Sequence, residues 1–300
     1  MKKLVLLSLV VVAACQSDTR NIERKLDELS KKMDTIAAGR PGAGVAPAQR
    51  PQRPEPDRAK TYAVPIDNDP FDGPADAKVT LVKALDYACG YCEKVRGTMD
   101  DLKKKYGSDL RIVYKQLVIH PKNAMLGALA FCAAAKQGKH REMDALVWDK
   151  GFNARQFDLT DMPLAAPAEK PADPQQPQPP QRPQTVKCWD HPDGCKNVYG
   201  FATELGLNMD KFKADLKGEC TTIVANDGAQ LSKFGLSSTP SFFVNGRFIS
   251  GAQQIETFSK LIDEELKKAN ERIAAGTPAA SYYQQWVLDK GLKALEPPKQ

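Results

Sequence analysis

The spacing of apolar positions changes along the chain, and each change predicts an element. Ile22, Leu26, Leu29, Met33 and Ile36 stand at intervals of 4, 3, 4 and 3 with charges between them, the seam of a short heptad helix. Barely three heptads are marginal alone, so this helix serves either as a self-associating seam over residues 18–38 or as a solvated spacer. From Val79 to Leu85 an apolar, β-rich run predicts a strand, followed by the loop Asp86-Tyr87-Ala88 and then Cys89-Gly90-Tyr91-Cys92. Beyond it Val95, Met99, Leu102 and Tyr106 recur at helical spacing, and Leu110 to Val118 predicts a second strand. Strand, helix and strand form a βαβ unit with a right-handed crossover. Further on, Ser241 to Val244 and Arg247 to Ile249 flank Asn245-Gly246, a strong hairpin signal. A final helix carries Ile255, Phe258, Leu261, Ile262 and Leu266 on one face. Between the halves, helical patterns at 124–135, 141–148, 197–205, 211–216 and 222–234 predict an inserted helical subdomain.

Proline sharpens this map. Fourteen of the 22 prolines fall in residues 41–65 and 163–184, stretches too poor in apolar content to bury a core. The first predicts a semi-extended linker over 39–60, and the second a disordered Pro/Gln-rich surface loop over 163–184. The expected order is a leader (1–14), an N-terminal heptad segment (15–38), the linker (39–60) and a first α/β half (61–118). The helical insertion (119–221), a second half (222–270) and a tail (271–300) complete it. The tail's Tyr282, Tyr283, Trp286, Val287 and Leu292 suggest a docked helix without a legible role.

With 42% hydrophobic and 27% charged residues in a chain of 300, full disorder is excluded. No apolar run beyond the first fifteen residues approaches the roughly 20 needed to span a bilayer, which excludes a multi-pass membrane protein. A formal charge of +6 without a basic block gives nucleic-acid binding no support. Lys2 and Lys3, the apolar run Leu4 to Ala14 and then Cys15 have the form of an export signal. Val12-Ala13-Ala14-Cys15 resembles the lipobox of bacterial lipoproteins. The resemblance implies acylation of Cys15 and a periplasmic protein anchored to the lipid bilayer, and Gln16 after the cysteine hints at the outer membrane.

Of seven cysteines, acylation of Cys15 leaves six, an even set for a disulfide-permissive compartment. Cys188 and Cys195 flank a short loop rich in turn formers and are expected to bond to each other. Cys132 and Cys220 are then either a second pair or two buried thiols. The remaining pair, Cys89 and Cys92, opens a helix, where unpaired N–H groups favour negative charge on the first sulfur. An acidic first thiol with a second one turn later suits thiol–disulfide exchange, in which Cys89 meets the substrate sulfur and Cys92 resolves the mixed disulfide. The chemistry needs no cofactor. No metal site is expected, because a structural zinc needs two further ligands and His120, His140 and His191 lie far off in sequence.

Two segments carry a resemblance: Val79 to Cys92, and Gly235-Leu-Ser-Ser-Thr-Pro-Ser-Phe-Phe-Val-Asn-Gly-Arg-Phe-Ile-Ser-Gly251. Over about residues 62–270 the chain resembles the DsbA-like thiol:disulfide oxidoreductases of the thioredoxin superfamily. The resemblance implies an α/β thioredoxin fold with an inserted helical subdomain, here preceded by a short coiled-coil stalk. It implies that Thr239-Pro240 is cis and faces the cysteines, docking substrate backbone beside Gly90 and Tyr91. The 148-residue separation of Cys92 and Pro240 leaves room for the insertion. Asp86 and Tyr87 shape the loop in relatives, and His120 reads as a helix-start or surface residue. Gly90 replaces a common proline, and Tyr91 replaces the histidine of the strongest oxidants, so a less oxidising couple is expected. Lys83 stands where relatives often carry a buried acid. It either supports a thiolate by its charge or snorkels to solvent. The implied partners are thiols and disulfides of exported proteins and a membrane redox partner. Oxidase, isomerase and reductase remain open, as does a non-catalytic module that binds a partner or copper through Cys89 and Cys92.

Overall fold

The computed structural model describes residues 21–33, 55–66, 68–164 and 184–296. Cys15, the leader, most of the linker and residues 165–183 of the Pro/Gln-rich loop lie outside them. The strands are β1 (Phe71–Asp72), β2 (Val79–Leu85), β3 (Leu110–Gln116), β4 (Asp161–Pro163), β5 (Thr185–Lys187), β6 (Ser241–Val244) and β7 (Arg247–Ser250). The helices are α1 (residues 21–33), α2 (Gly90–Lys94), α3 (Arg96–Tyr106), α4 (Pro121–Ala135), α5 (His140–Leu146), α6 (Lys196–Glu204), α7 (Met209–Lys217), α8 (Glu219–Ser232) and α9 (Ile255–Ala274). No helix among the described residues is long and apolar enough to cross a membrane.

Every residue of β2 is buried, which requires cover on both faces. The main sheet supplies it in the order β1-β3-β2-β6-β7, with β2 parallel to β3 and the other pairings antiparallel. Leu81 and Leu85 point into one core with Leu102, Phe131 and Phe258, while Val82 and Ala84 point into the other with Tyr62, Phe234 and Phe243. The period of two thus feeds two layers from one strand. The β6–β7 hairpin turns at Asn245-Gly246, both with positive φ (42° and 83°). Asn245 Oδ1 also accepts from Thr80 N at 2.8 Å and ties the hairpin to β2.

Several elements differ from expectation. β1 is two residues long and follows no pattern, held as an edge by its pairing to β3. The helix after the cysteines is interrupted at Val95 and becomes α2 and α3. The helix expected over 141–148 is regular only to Leu146, and residues 147–153 wind as a wider π-type turn. The base of the Pro/Gln-rich loop is closed by a β4–β5 ladder that apolar spacing did not predict, with Pro163 opposite Thr185 and Leu164 N donating to Gln184 O at 2.8 Å. Cys188 and Cys195 are bonded, and Cys132 of α4 is bonded to Cys220 of α8.

The tail packs against the chain's entry into the fold. Ala63 N donates to Leu292 O, Leu292 N to Thr61 O, and the Tyr283 hydroxyl to Val64 O, at 2.8, 2.9 and 2.8 Å. Gly291 sits so close to Tyr62 and Ala63 that a Cβ there would meet backbone at 2.8–3.0 Å. Taken by itself, α1 leaves the described part of its seam exposed: Ile22, Leu26, Leu29 and Met33 are 58–70% accessible, and Ile36 lies outside the described residues.

Candidate functional site

β2 ends in a carboxylate that pins the loop after it. Asp86 is fully buried, and its two oxygens accept from Ala88 N at 2.7 Å and from Ile119 N and His120 N at 2.7 and 2.8 Å. One side chain therefore ties the loop leaving β2 to the loop entering α4, and His120 takes the N-cap position of α4 with its ring half exposed. Cys89 is the N-cap of α2, and its N–H donates to Asp86 O at 3.0 Å. Its own carbonyl accepts from Cys92 N and Glu93 N, so Cys92 lies one turn in. Both cysteines are free thiols, Cys89 at the surface rim with 7% exposure and Cys92 fully enclosed. Gly90 faces solvent against Phe152, and Tyr91 projects outward, 64% exposed, with the Lys94 ammonium 5.2 Å from its ring centre.

Opposite them stands the entry to β6. The register Ala84↔Ser241 sets the preceding residues beside the end of β2. The Thr239–Pro240 peptide bond is cis, and Cys89 Sγ donates to Thr239 O at 3.2 Å. The buried Thr239 hydroxyl closes no hydrogen bond of ordinary geometry, yet it lies near enough to Cys92 to favour a thiolate there.

Burial pushes the Cys92 thiol up to about 12, against the opposing pull of the Asp86 backbone, Lys83 and Thr239. Lys83 sits in mid-β2 at 2% exposure, its ammonium 5.6 Å from the centre of the Tyr114 ring. This corrects one of the two expectations: the side chain does not snorkel to solvent. Burial lowers its pKa, and the charges of Asp144 and Cys92 act to raise it. Asp144 of α5 escaped sequence reading. Its carboxyl is enclosed, although the residue's outer edge reaches the surface, and it accepts from the Tyr87 hydroxyl at 2.8 Å and Trp148 Nε1 at 3.1 Å. Burial raises its pKa, and Lys83 is the largest influence in the other direction. The available signal was an aspartate one residue after Met143 and four before Trp148, beside buried apolar positions. Among the described residues no group of three or more His, Cys, Asp or Glu could hold a metal ion.

A family model described as Thioredoxin matches residues 66–264. The Na(+)/H(+) antiporter NhaA of Herminiimonas arsenicoxydans is 30% identical over 196 residues, 65% of this chain and 25% of that protein. NhaA 3 of Salinispora tropica is 30% identical over 221 residues, 71% of this chain and 27% of that one. The chain thus spans about a quarter of the length of these curated relatives. Among solved structures, alpha-DsbA1 of Wolbachia pipientis aligns at 15% identity and TM-score 0.51, covering 70% of this chain and 96% of that one, a likeness of fold.

Proposed function

The chain belongs to the thioredoxin family, and from that premise we propose that it is a DsbA-like thiol–disulfide oxidoreductase. It exchanges disulfides with exported proteins through Cys89 and Cys92 while tethered at an acylated Cys15. The observation that carries this reading is the Cys89 Sγ–Thr239 O contact of 3.2 Å with Cys92 enclosed one turn away. A rim sulfur beside the Thr239 backbone meets substrate, and the second sulfur is shielded until a mixed disulfide forms.

In the reducing direction the Cys89 thiolate attacks one sulfur of a substrate disulfide, forms the Cys89–substrate bond and expels the other substrate sulfur as a thiolate. Cys92 then gives up its proton and attacks Cys89 Sγ, which closes the Cys89–Cys92 bond and releases the second substrate thiolate. The substrate gains two electrons and the cysteine pair loses them. The reverse sequence oxidises a substrate dithiol, and a membrane redox partner resets the pair. Thr239 and Pro240 hold substrate backbone at the Cys89 rim, and Gly90 and Tyr91 form the exposed lip. Cys92→Ala in the producing cell is expected to accumulate reductant-sensitive adducts between Cys89 and exported proteins. A Cys92→Ala variant that yields no adducts overturns the reading.

The exposed seam of α1 favours a refinement, in which copies associate through residues 18–38 and present several cysteine pairs to one substrate, as isomerisation requires. Light scattering of the acyl-free protein, paired with scrambled and reduced ribonuclease assays, separates this isomerase from a monomeric oxidase. The tether rests on the sequence of residues 1–15. Cys15→Ser is expected to move the protein from the outer-membrane fraction to the soluble periplasm.

A further inference from the structure

The helical insertion sends one aromatic side chain out beside the cysteine motif. Phe152 lies near the end of the π-type turn of residues 147–153 and is partly exposed. It is the outer rung of a ladder that begins in the core. Tyr87 and Trp148, both fully buried, hold their ring centres 5.0 Å apart, and Trp148 meets Phe152 edge to face at 5.5 Å and 74°. Asp144 pins the two inner rungs by accepting from the Tyr87 hydroxyl and Trp148 Nε1. The turn is fastened to the cysteine-bearing segment as well: Arg96 of α3 donates to Asp149 at 2.7 Å, and Asn153 donates to Glu93 of α2 at 3.4 Å. Phe152 is therefore a large ring braced before any partner arrives, and a braced aromatic loses little conformational freedom when it binds.

The tip of that ring stands over Gly90. A Cβ placed at Gly90 would meet Phe152 Cζ at 3.8 Å and, among the described residues, no other atom within 4 Å outside its chain neighbours, and Gly90 itself is exposed. Gly90 directly follows Cys89, so a notch floored by bare backbone and walled by Phe152 opens beside the sulfur at the rim. The charges carried by the turn are engaged: Asp149 holds Arg96, and Lys150 donates to Glu204. The Lys94 ammonium is engaged with the Tyr91 ring. A charged side chain entering the notch finds no ready counterion among these groups. A second aromatic ring can present its face to the tip of Phe152 and extend the edge-to-face ladder by one rung.

We propose that the Gly90–Phe152 notch is a specificity seat for an aromatic side chain neighbouring the reacting cysteine of the substrate, so that aromatic-flanked cysteines exchange preferentially. The inference rests on the exchange reading above. The probes are two peptides of equal length and charge, each with two cysteines, flanked on both sides by Phe in one and by Ser in the other. Oxidised protein is mixed with each peptide dithiol and reduced protein with each peptide disulfide, and timed acid quenching with mass spectrometry gives the rates. Each rate is divided by that of the same peptide with glutathione in the protein's redox state, which removes differences in intrinsic thiol reactivity. The wild type is expected to favour the Phe peptide roughly tenfold, the low end of what an apolar pocket discriminates. In Phe152→Ala the ratio is expected to fall to near one. Gly90→Val fills the notch from its other wall; it is expected to abolish the preference too, and it carries the test should Phe152→Ala misfold. Equal rates for the wild type, or a ratio retained in both variants, overturn the seat and leave the exchange reading standing. A wild type that reacts with neither peptide in either direction overturns the exchange reading and the seat with it.

Discussion

Cys89 Sγ and the carbonyl oxygen of Thr239 meet at 3.2 Å although 150 positions separate the residues. The contact follows from strand register. β2 pairs with β6 so that Ala84 faces Ser241, which leaves the chain on either side of that pair, toward Cys89 and back toward Thr239, at one end of the sheet. The Asp86 carboxylate fixes the loop between Ala84 and Cys89, so the contact rests on backbone hydrogen bonds rather than on side-chain packing alone.

The asymmetry of the two thiols predicts selective alkylation. A thiol held at about 12 and fully enclosed stays protonated and out of reach at pH 8, whereas Cys89 lies at the rim. Iodoacetamide acting on the native, reduced protein is expected to modify Cys89 alone, and both cysteines after denaturation. Peptide mapping reads the outcome, and equal native labelling of Cys92 would show that its enclosure is not maintained in solution.

Lys83 and Asp144 predict a split between the two chemical steps. The charge of Lys83 pulls the Cys92 thiol toward ionisation, and the resolving step needs that ionisation while the first attack does not. Lys83→Met is expected to slow resolution by roughly 10²-fold, the low end of the usual worth of a positioned proton-transfer group, with the rate of mixed-disulfide formation retained. Because Asp144 acts to raise the pKa of Lys83, Asp144→Asn is expected to lower it further, so that Lys83 gives up at lower pH the charge that favours the Cys92 thiolate and the rising limb of resolution moves upward in pH. Rapid-quench measurement of mixed-disulfide formation and decay against pH separates these effects; identical profiles for all three proteins would remove Lys83 and Asp144 from the mechanism.

What the sequence showed of this arrangement was its local chemistry. The Val79–Leu85 run and the Asn245-Gly246 turn are legible because a buried strand and a tight hairpin each constrain neighbouring residues. The two-residue β1 is not, since what determines it lies elsewhere in the chain, in the partner strand it leans on and the donors that gather on Asp72. Asp144 and the burial of Lys83 are tertiary facts: each residue is an ordinary charge in its own segment and is enclosed only once β2 and the helices join one core. The docking of the tail on residues 61–64 is backbone pairing across more than two hundred residues, which leaves no trace in apolar spacing.

The two disulfides predict unequal stabilisation. Cys132–Cys220 spans 88 residues and Cys188–Cys195 spans 7. Loop-closure entropy grows with the logarithm of length, which assigns about 4.5 kcal/mol to the long bridge and about 2.5 kcal/mol to the short one. Replacing each pair by alanine and unfolding in guanidinium is expected to give losses in that order. Equal losses would show that local packing rather than chain constraint sets their worth.

Asp72 predicts an acid-dependent component of stability. The side chain is 2% exposed and gathers Lys103 at 3.0 Å, the Tyr114 hydroxyl at 2.9 Å, His140 at 3.2 Å and Arg141. Burial acts to raise its pKa, but hydrogen bonds from His140, Lys103 and Tyr114, with the charge of Lys103, hold it well below the ordinary carboxylate value of 3.8. A carboxyl depressed in the folded state contributes stability that is fully present above 3.8 and is lost as pH falls through the folded-state value. Asp72→Asn keeps the shape and removes the charge, so at pH 7 it is expected to cost about 2–3 kcal/mol, the worth of hydrogen bonds to a charged group. The gap between wild type and variant in thermal unfolding is expected to be constant from pH 7 to about 5 and to narrow below about 4, because only the wild type loses this contribution there. A gap that widens on acidification would mean that Asp72 is not held ionised by its four donors and that β1 is anchored some other way.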